Sequence, residues 1–219
     1  MYRLTKYFPF LLAICLLSSC YNKTGQEKNI FHYNEFSGIP TLDPAFAKSQ
    51  ATMWPAHQLF NTLVEIDDSL HIVPSLATRW DISADRTVYT FYLRNDVYFH
   101  DDPAFPGGKG RKMKADDIVY SLSRIMDKKV ASPGAWIFSR KTDTLQPFTA
   151  LDDTTFRLTL LYPYNPILGI LSMQYCSVVP REVVEYYGND FRRHPVGTGP
   201  FRMVAWEEGQ ALVLKRNEK

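Results

Sequence analysis

The strict alternation from Thr87 to Leu93 narrows the choice of fold more than any other stretch. Tyr89, Phe91 and Leu93 face one way and Val88, Thr90 and Tyr92 the other, which is the period of two that a strand requires. The pattern returns at Phe156, Leu158 and Leu160, which alternate with Thr155, Arg157 and Thr159. Between these two segments, Ala115, Ile118, Val119, Leu122, Ile125 and Met126 recur at helical spacing. Asp116 and Asp117 lie in the first turn of that helix, where the macrodipole favours acids. Strands and amphipathic helices interleave, so the expected class is mixed, α/β or α+β. With 219 residues and 45% hydrophobic content, the chain can build one sizeable core or two small ones.

The remaining elements follow from spacing and turn chemistry. Ala56, Leu59, Phe60, Leu63 and Val64 predict a helix, with Pro55 just inside its start, where a missing N–H costs nothing. Asp67-Asp68-Ser69 reads as a turn into an extended piece through Ile72 and Val73. Ile30 to Tyr33 reads as a first strand. A short helix is expected over Ile167 to Leu171, and Pro180 opens another that runs to about Tyr187 and ends at Gly188-Asn189-Asp190. Phe201 to Trp206 and Ala211 to Arg216 read as strands joined around Glu207-Glu208-Gly209. Gly197-Thr198-Gly199-Pro200 offers two positions free to take positive φ, then a fixed one. Phe105 to Lys112 reads as a surface loop. It is no phosphate cradle, because Gly108-Lys109 is followed by Gly110 rather than Ser or Thr.

The first twenty residues have a different character. Arg3 and Lys6 precede an apolar run, Tyr7 to Leu17, that is too short to span a bilayer comfortably but suits a signal-peptide core. It ends in Leu17-Ser18-Ser19-Cys20, which resembles the bacterial lipobox, in which the Cys thiol accepts a diacylglyceryl group. The alternative is a buried N-terminal helix with a chance Cys. The lipobox reading makes residues 1–19 a signal peptide, Cys20 the lipidated first residue of the mature chain, and 20–28 a polar tether to an ordered domain at 29–219. The localisation would be the cell envelope, on the periplasmic side or cell surface. Cys15 would leave with the signal peptide and Cys20 would carry lipid, so Cys176 has no partner and reads as a buried small hydrophobe.

Charge and motif content exclude some function classes. The formal net charge is +2 with both signs mixed along the chain, which gives no reason to expect a nucleic-acid partner. His100-Asp101-Asp102 has the residue types of a metal or acid/base cluster, but a solvated turn before a Pro- and Gly-rich loop explains it more simply. The five histidines show no H-x-x-x-H spacing, and no Gly-x-Ser-x-Gly is present. No enzymatic activity and no cofactor are expected.

Six segments in order carry a family resemblance. They are Thr41-Leu42-Asp43-Pro44, Leu59-Phe60-Asn61-Thr62-Leu63-Val64, Pro74-Ser75-Leu76-Ala77 with Trp80, Tyr89 to Arg94 with Val97 to Asp101, Ala115 to Ser121, and Pro195 to Phe201 with Leu214 to Asn217. Together they resemble the family 5 extracellular solute-binding proteins, which include the oligopeptide- and dipeptide-binding proteins of ABC importers. Asp102 and the longer loop from Pro103 to Met113 depart from the family pattern, where a Gly leads directly into the Ala-Asp-Asp helix.

The resemblance implies the N-terminal lobe of a two-lobed periplasmic-binding-protein-like fold, with about 56–190 as an inserted subdomain. A second lobe would follow, in a chain more than twice this long, so the sequence reads as a fragment or truncated product. The implied function is capture of an oligopeptide or dipeptide in the cleft between the lobes, by a monomer, and delivery to ABC permease subunits. On the same scaffold the ligand could instead be a nickel chelate, haem or a sugar, or the chain could be an envelope sensor or interaction lipoprotein. The family's cleft wall, carried over, falls on Lys48, Ser49, Gln50 and Ala51; the alternative there is an exposed loop with Ser49 as a helix N-cap. Trp136, shortly after Ser132-Pro133, is a candidate cleft aromatic, with a core Trp as the alternative.

The lipobox reading predicts that Cys20→Ala abolishes membrane attachment. Fractionation of the expressed variant checks it, and full partition with membranes would refute the reading.

Overall fold

The computed structural model describes residues 29–143 and 145–219, so the signal-peptide segment and Cys20 lie outside the described residues. Residues 35–219 form one compact unit. Its centre is an antiparallel sheet of four strands, β3 (Ala77–Ile82), β4 (Val88–Leu93), β5 (Phe148–Asp152) and β6 (Thr155–Thr159), in the order β3-β4-β6-β5. Burial along β4 alternates as its sequence does, with Tyr89, Phe91 and Leu93 inside. The same register sets Phe91 opposite Phe156, their rings 6.1 Å apart. Phe148, from the edge strand, meets Phe138 edge-on at 4.9 Å, a favoured aromatic geometry.

Among the described residues the α-helices are α1 (Gln50–Leu59), α2 (Ala115–Met126), α3 (Ile167–Leu171) and α4 (Arg181–Tyr187), of which α2 packs on β5 and β6 and buries Ile118, Leu122 and Ile125. Asp117 closes its first turn by accepting from the Lys114 N–H at 2.8 Å. The same carboxylate takes both terminal nitrogens of Arg111, which also pairs with Glu182 of α4. Two short hairpins complete the fold: β1 (Val64–Ile66) with β2 (Ile72–Pro74), turned around Asp67, and β7 (Phe201–Glu207) with β8 (Ala211–Arg216), turned at Gly209 with φ 75°. Among the described residues every strand pair is antiparallel. Of the two mixed classes expected, this is α+β, because α/β folds rest on parallel pairing.

Four expectations need correction. Ile30–Tyr33 forms no strand; a strand exists only within a hydrogen-bonded ladder, and this run is in none. Helix α1 begins at Gln50, five residues before Pro55, and ends at Leu59 rather than running to Val64. Pro55 therefore sits inside it and cannot supply the N–H that Ala51 C=O would take. Beyond Leu59 the backbone is claimed by distant partners: Val178 N–H donates to Asn61 C=O, Leu76 N–H to Thr62 C=O and Ala77 N–H to Leu63 C=O. The loop expected at the surface from Phe105 to Lys112 is partly internal, since Phe105 is buried and stacked on Phe99 at 6.2 Å.

The fourth correction concerns Gly197 and Gly199. Neither takes positive φ. They are glycines because the chain passes against the end of α1. A Cβ on Gly197 would come within 2.2 Å of the Leu59 carbonyl oxygen, and one on Gly199 within 2.4 Å of the Leu59 carbonyl carbon. That proximity lets Gly199 N–H donate to Leu59 C=O at 3.0 Å. Gly134 is small for the same reason, lying under the Tyr175 ring.

Cys176 is buried and free, and burial raises its thiol pKa to about 12.

Gly199→Ala should destabilise the protein by about 2–3 kcal/mol, the order of an overpacked core, because backbone rather than a flexible side chain must move. Urea unfolding monitored by circular dichroism checks it.

Candidate functional site

The candidate cleft wall begins with a short turn. Leu42 N–H donates to Arg192 C=O at 3.0 Å, and Asp43 caps the 3-10 turn Pro44–Phe46 by accepting from Ala45 N–H at 3.0 Å. The Asp43 carboxylate also receives a two-pronged pair from Arg124 of α2, at 2.9 and 2.6 Å. The two side chains are 6% and 12% exposed. Burial opposes the charge on Arg124, but the carboxylate outweighs it and holds the guanidinium pKa above its ordinary value. The Ser132 hydroxyl donates to Ala45 C=O at 2.5 Å and accepts from Gly134 N–H at 3.0 Å. The turn Pro133–Ile137, which carries Trp136, is thereby bonded to the turn that precedes Lys48.

Past that base the chain opens to solvent. Lys48, Ser49 and Gln50 are exposed, whereas the Ala51 side chain is buried. Ser49 is the N-cap of α1: its backbone N–H donates to Thr52 Oγ1 at 3.1 Å, and its hydroxyl lies 3.2 Å from the same oxygen. Trp136 is 49% exposed, so it is not a core residue. Lys141 steadies it, with Nζ donating to the Trp136 C=O at 2.7 Å and lying 5.6 Å from the ring centroid.

Two residues adjoining this surface were missed from sequence. Met53 and Trp54 are 37% and 46% exposed. They follow Gln50 at i+3 and i+4 on α1, and His57 continues the row. The available signal was that spacing, masked by an expected helix start at Pro55. Past His57 lies a cavity of about 420 Å³, lined by polar residues that include Asn61, Glu65, Arg94, Tyr98 and Asn217. Its charges are internally matched: Ser75 Oγ donates to Glu65 at 2.7 Å, and Arg94 forms two bonds of 2.9 Å to Asp96.

The His100-Asp101-Asp102 triplet disperses into three networks. His100 is buried, Asp101 pairs with Lys219 and Lys109 at the surface, and Asp102 accepts from Ala104 N–H and the Tyr187 hydroxyl. Among the described residues, no group of three or more His, Cys, Asp or Glu side chains could hold a metal ion.

In this mixed fold an exposed polar and aromatic surface stands on a base held by the buried Asp43–Arg124 pair. The sequence model of the bacterial extracellular solute-binding proteins, family 5 Middle, matches residues 71–219, and the chain belongs to that family. Its members are solute-binding proteins, not enzymes. The chain is 32% identical over 190 residues to the di/tripeptide-binding protein 2 of Pseudomonas aeruginosa, covering 80% of this chain and 35% of that protein. It is 31% identical over 230 residues to the heme-binding protein A of Haemophilus influenzae, covering 95% of this chain and 42% of that protein. Among solved structures, the ABC transporter-associated periplasmic binding protein DppA from Helicobacter pylori, in complex with peptide STSA, superposes with a TM-score of 0.72 at 33% identity, covering 82% of this chain and 37% of that one. The chain thus spans about two fifths or less of the length of these relatives.

Arg124→Met should cost about 3–5 kcal/mol of stability, the price of leaving a buried carboxylate unpaired. Asp43→Asn combined with it should recover part of that loss. A double-mutant cycle by urea denaturation measures both.

Proposed function

We propose that residues 29–219 form the first lobe of the substrate-binding protein of an ABC importer, with 56–190 as a subdomain, and that the protein captures peptides between this lobe and a second one. The observation that carries the reading is that the exposed stretch Lys48–Gln50 follows, and the exposed Trp136 lies in, turns bonded to each other through Ser132 and Ala45, above the buried Asp43–Arg124 pair. A peptide lying extended in the cleft offers the same backbone donors and acceptors whatever its sequence. Ser49 and Gln50 supply hydroxyl and amide partners for that backbone, Lys48 meets a carboxylate, and Trp136 covers a side chain. Ala51 contributes through its main chain. Closure of the second lobe by hinge motion completes the enclosure, and the monomeric complex is handed to the permease subunits. Residues 1–19 act as the export signal, Cys20 carries the lipid, and 20–28 tether the lobe to the membrane.

One observation favours a second reading. The haem-binding relative matches nearly the whole chain at an identity close to that of the peptide-binding one, so the same wall can serve a flat aromatic ligand, with Met53, Trp54 and Trp136 as its apolar surface.

Calorimetry separates the readings. In the two-lobed protein, tripeptides should bind at micromolar concentration and Trp136→Ala should weaken them about tenfold, or ~1.4 kcal/mol. Residues 21–219 alone should bind peptides no tighter than about millimolar, because one wall of the cleft is absent. Haem binding with no peptide heat would overturn the peptide reading.

A further inference from the structure

The family assignment leaves His100 without a role, yet it is buried and both of its ring nitrogens are hydrogen-bonded to backbone. Its backbone N–H donates to Gly197 C=O at 2.9 Å. Its Nδ1 accepts from Gly197 N–H at 3.4 Å, and its Nε2 donates to Gly199 C=O at 3.0 Å. One residue thus holds three backbone groups of the segment that crosses the end of α1. Gly199 N–H donates to Leu59 C=O of that helix, Asn217 Nδ2 donates to Gly199 C=O, and Asn217 N–H donates to Pro200 C=O. Helix α1, the Val97–His100 segment and the root of the β7–β8 hairpin therefore meet at this imidazole.

The pattern needs a neutral ring with its proton on Nε2, since Nδ1 faces a donor. We propose that His100 is a pH-sensitive latch: in mildly acidic solution a proton on Nδ1 sets it against Gly197 N–H, opens the Gly197–Gly199 crossing and releases the β7–β8 hairpin from α1.

The surroundings determine the sign. Burial is the largest influence and lowers the imidazole pKa; Lys219 and Arg202 act the same way, while the Gly199 carbonyl and Asp101 act against them. Asp101 is itself occupied by Lys219, Lys109 and Gly110 N–H. A histidine pKa lowered on folding means that the open state binds the proton more tightly. The latch is fully effective above the ordinary imidazole value of about 6.5 and weakens as pH falls from there towards the lowered value. This device lies at the opposite end of α1 from Lys48–Gln50 and does not depend on what the lobe binds.

Amide hydrogen exchange, corrected for the intrinsic pH dependence, tests it. Between about pH 7 and about pH 5, protection of the Gly197 and Gly199 amides should fall about tenfold or more, while the amides of Phe91 and Phe156 in the central sheet hold theirs. In His100→Gln, which keeps a donor and an acceptor but does not titrate, the glycine amides should show no such fall. Unchanged protection in the wild type, an equal fall in the variant, or a parallel fall across the sheet would each overturn the proposal. Should the variant not fold, NMR titration of the wild-type imidazole decides instead: a value at or above about 6.5 overturns the latch, and a lower one accompanied by the glycine-specific fall upholds it.

Discussion

Much of the geometry of the fold depends on the pair between Asp43 and Arg124. These residues are 81 positions apart and both nearly shut off from water. A buried ion pair gains little net stability over a well-packed apolar contact, because desolvating two charges offsets most of their attraction. Its value is directional. A carboxylate that also caps the Pro44–Phe46 turn can meet the planar guanidinium in few orientations. The pair therefore sets where the chain emerges at Lys48, and Ser132, bonded to Ala45, sets where Trp136 stands relative to it.

Helix α1 is fixed at both ends by contacts it does not make itself. Its N-terminus follows the anchored turn, and its C-terminal carbonyl at Leu59 is taken by Gly199. The glycine approach is close enough that backbone meets backbone, leaving no flexible side chain to absorb movement. Under the proposed function, side chains carried on such an element keep their positions without a ligand, which reduces the ordering that binding must impose.

The elements legible in the sequence are those whose periodicity is self-contained. Strand β4, helix α2 and strand β6 lie where alternation or helical spacing puts them, because each buries a face whose pattern is local, and the exposed β7–β8 hairpin lies where its turn chemistry puts it. The errors fall where distant partners decide. The spacing of Ala56, Leu59, Phe60, Leu63 and Val64 is helical, yet the stretch divides at Leu59 because Gly199, Val178, Leu76 and Ala77 claim its carbonyls. The glycines at 197 and 199 invite a torsional explanation, and only the neighbouring helix end reveals a steric one. The site was legible to the same extent. Lys48, Ser49, Gln50 and Trp136 do stand at the surface, but the Arg124 anchor could not be read without the fold, and the exposed row of Met53 and Trp54 was hidden by the expected helix start at Pro55.

The buried cysteine has a consequence for how opening of this core can be followed. Cys176 is the sole cysteine among the described residues, and its thiol stays protonated far above physiological pH. An alkylating reagent attacks only the thiolate, so the folded core is chemically silent. Any adduct at Cys176 must form while its surroundings are open. When closing is fast, the labelling rate is the free-thiol rate scaled by the fraction of time spent open. The core thus carries its own clock, built from one sulfur atom that the fold keeps out of water.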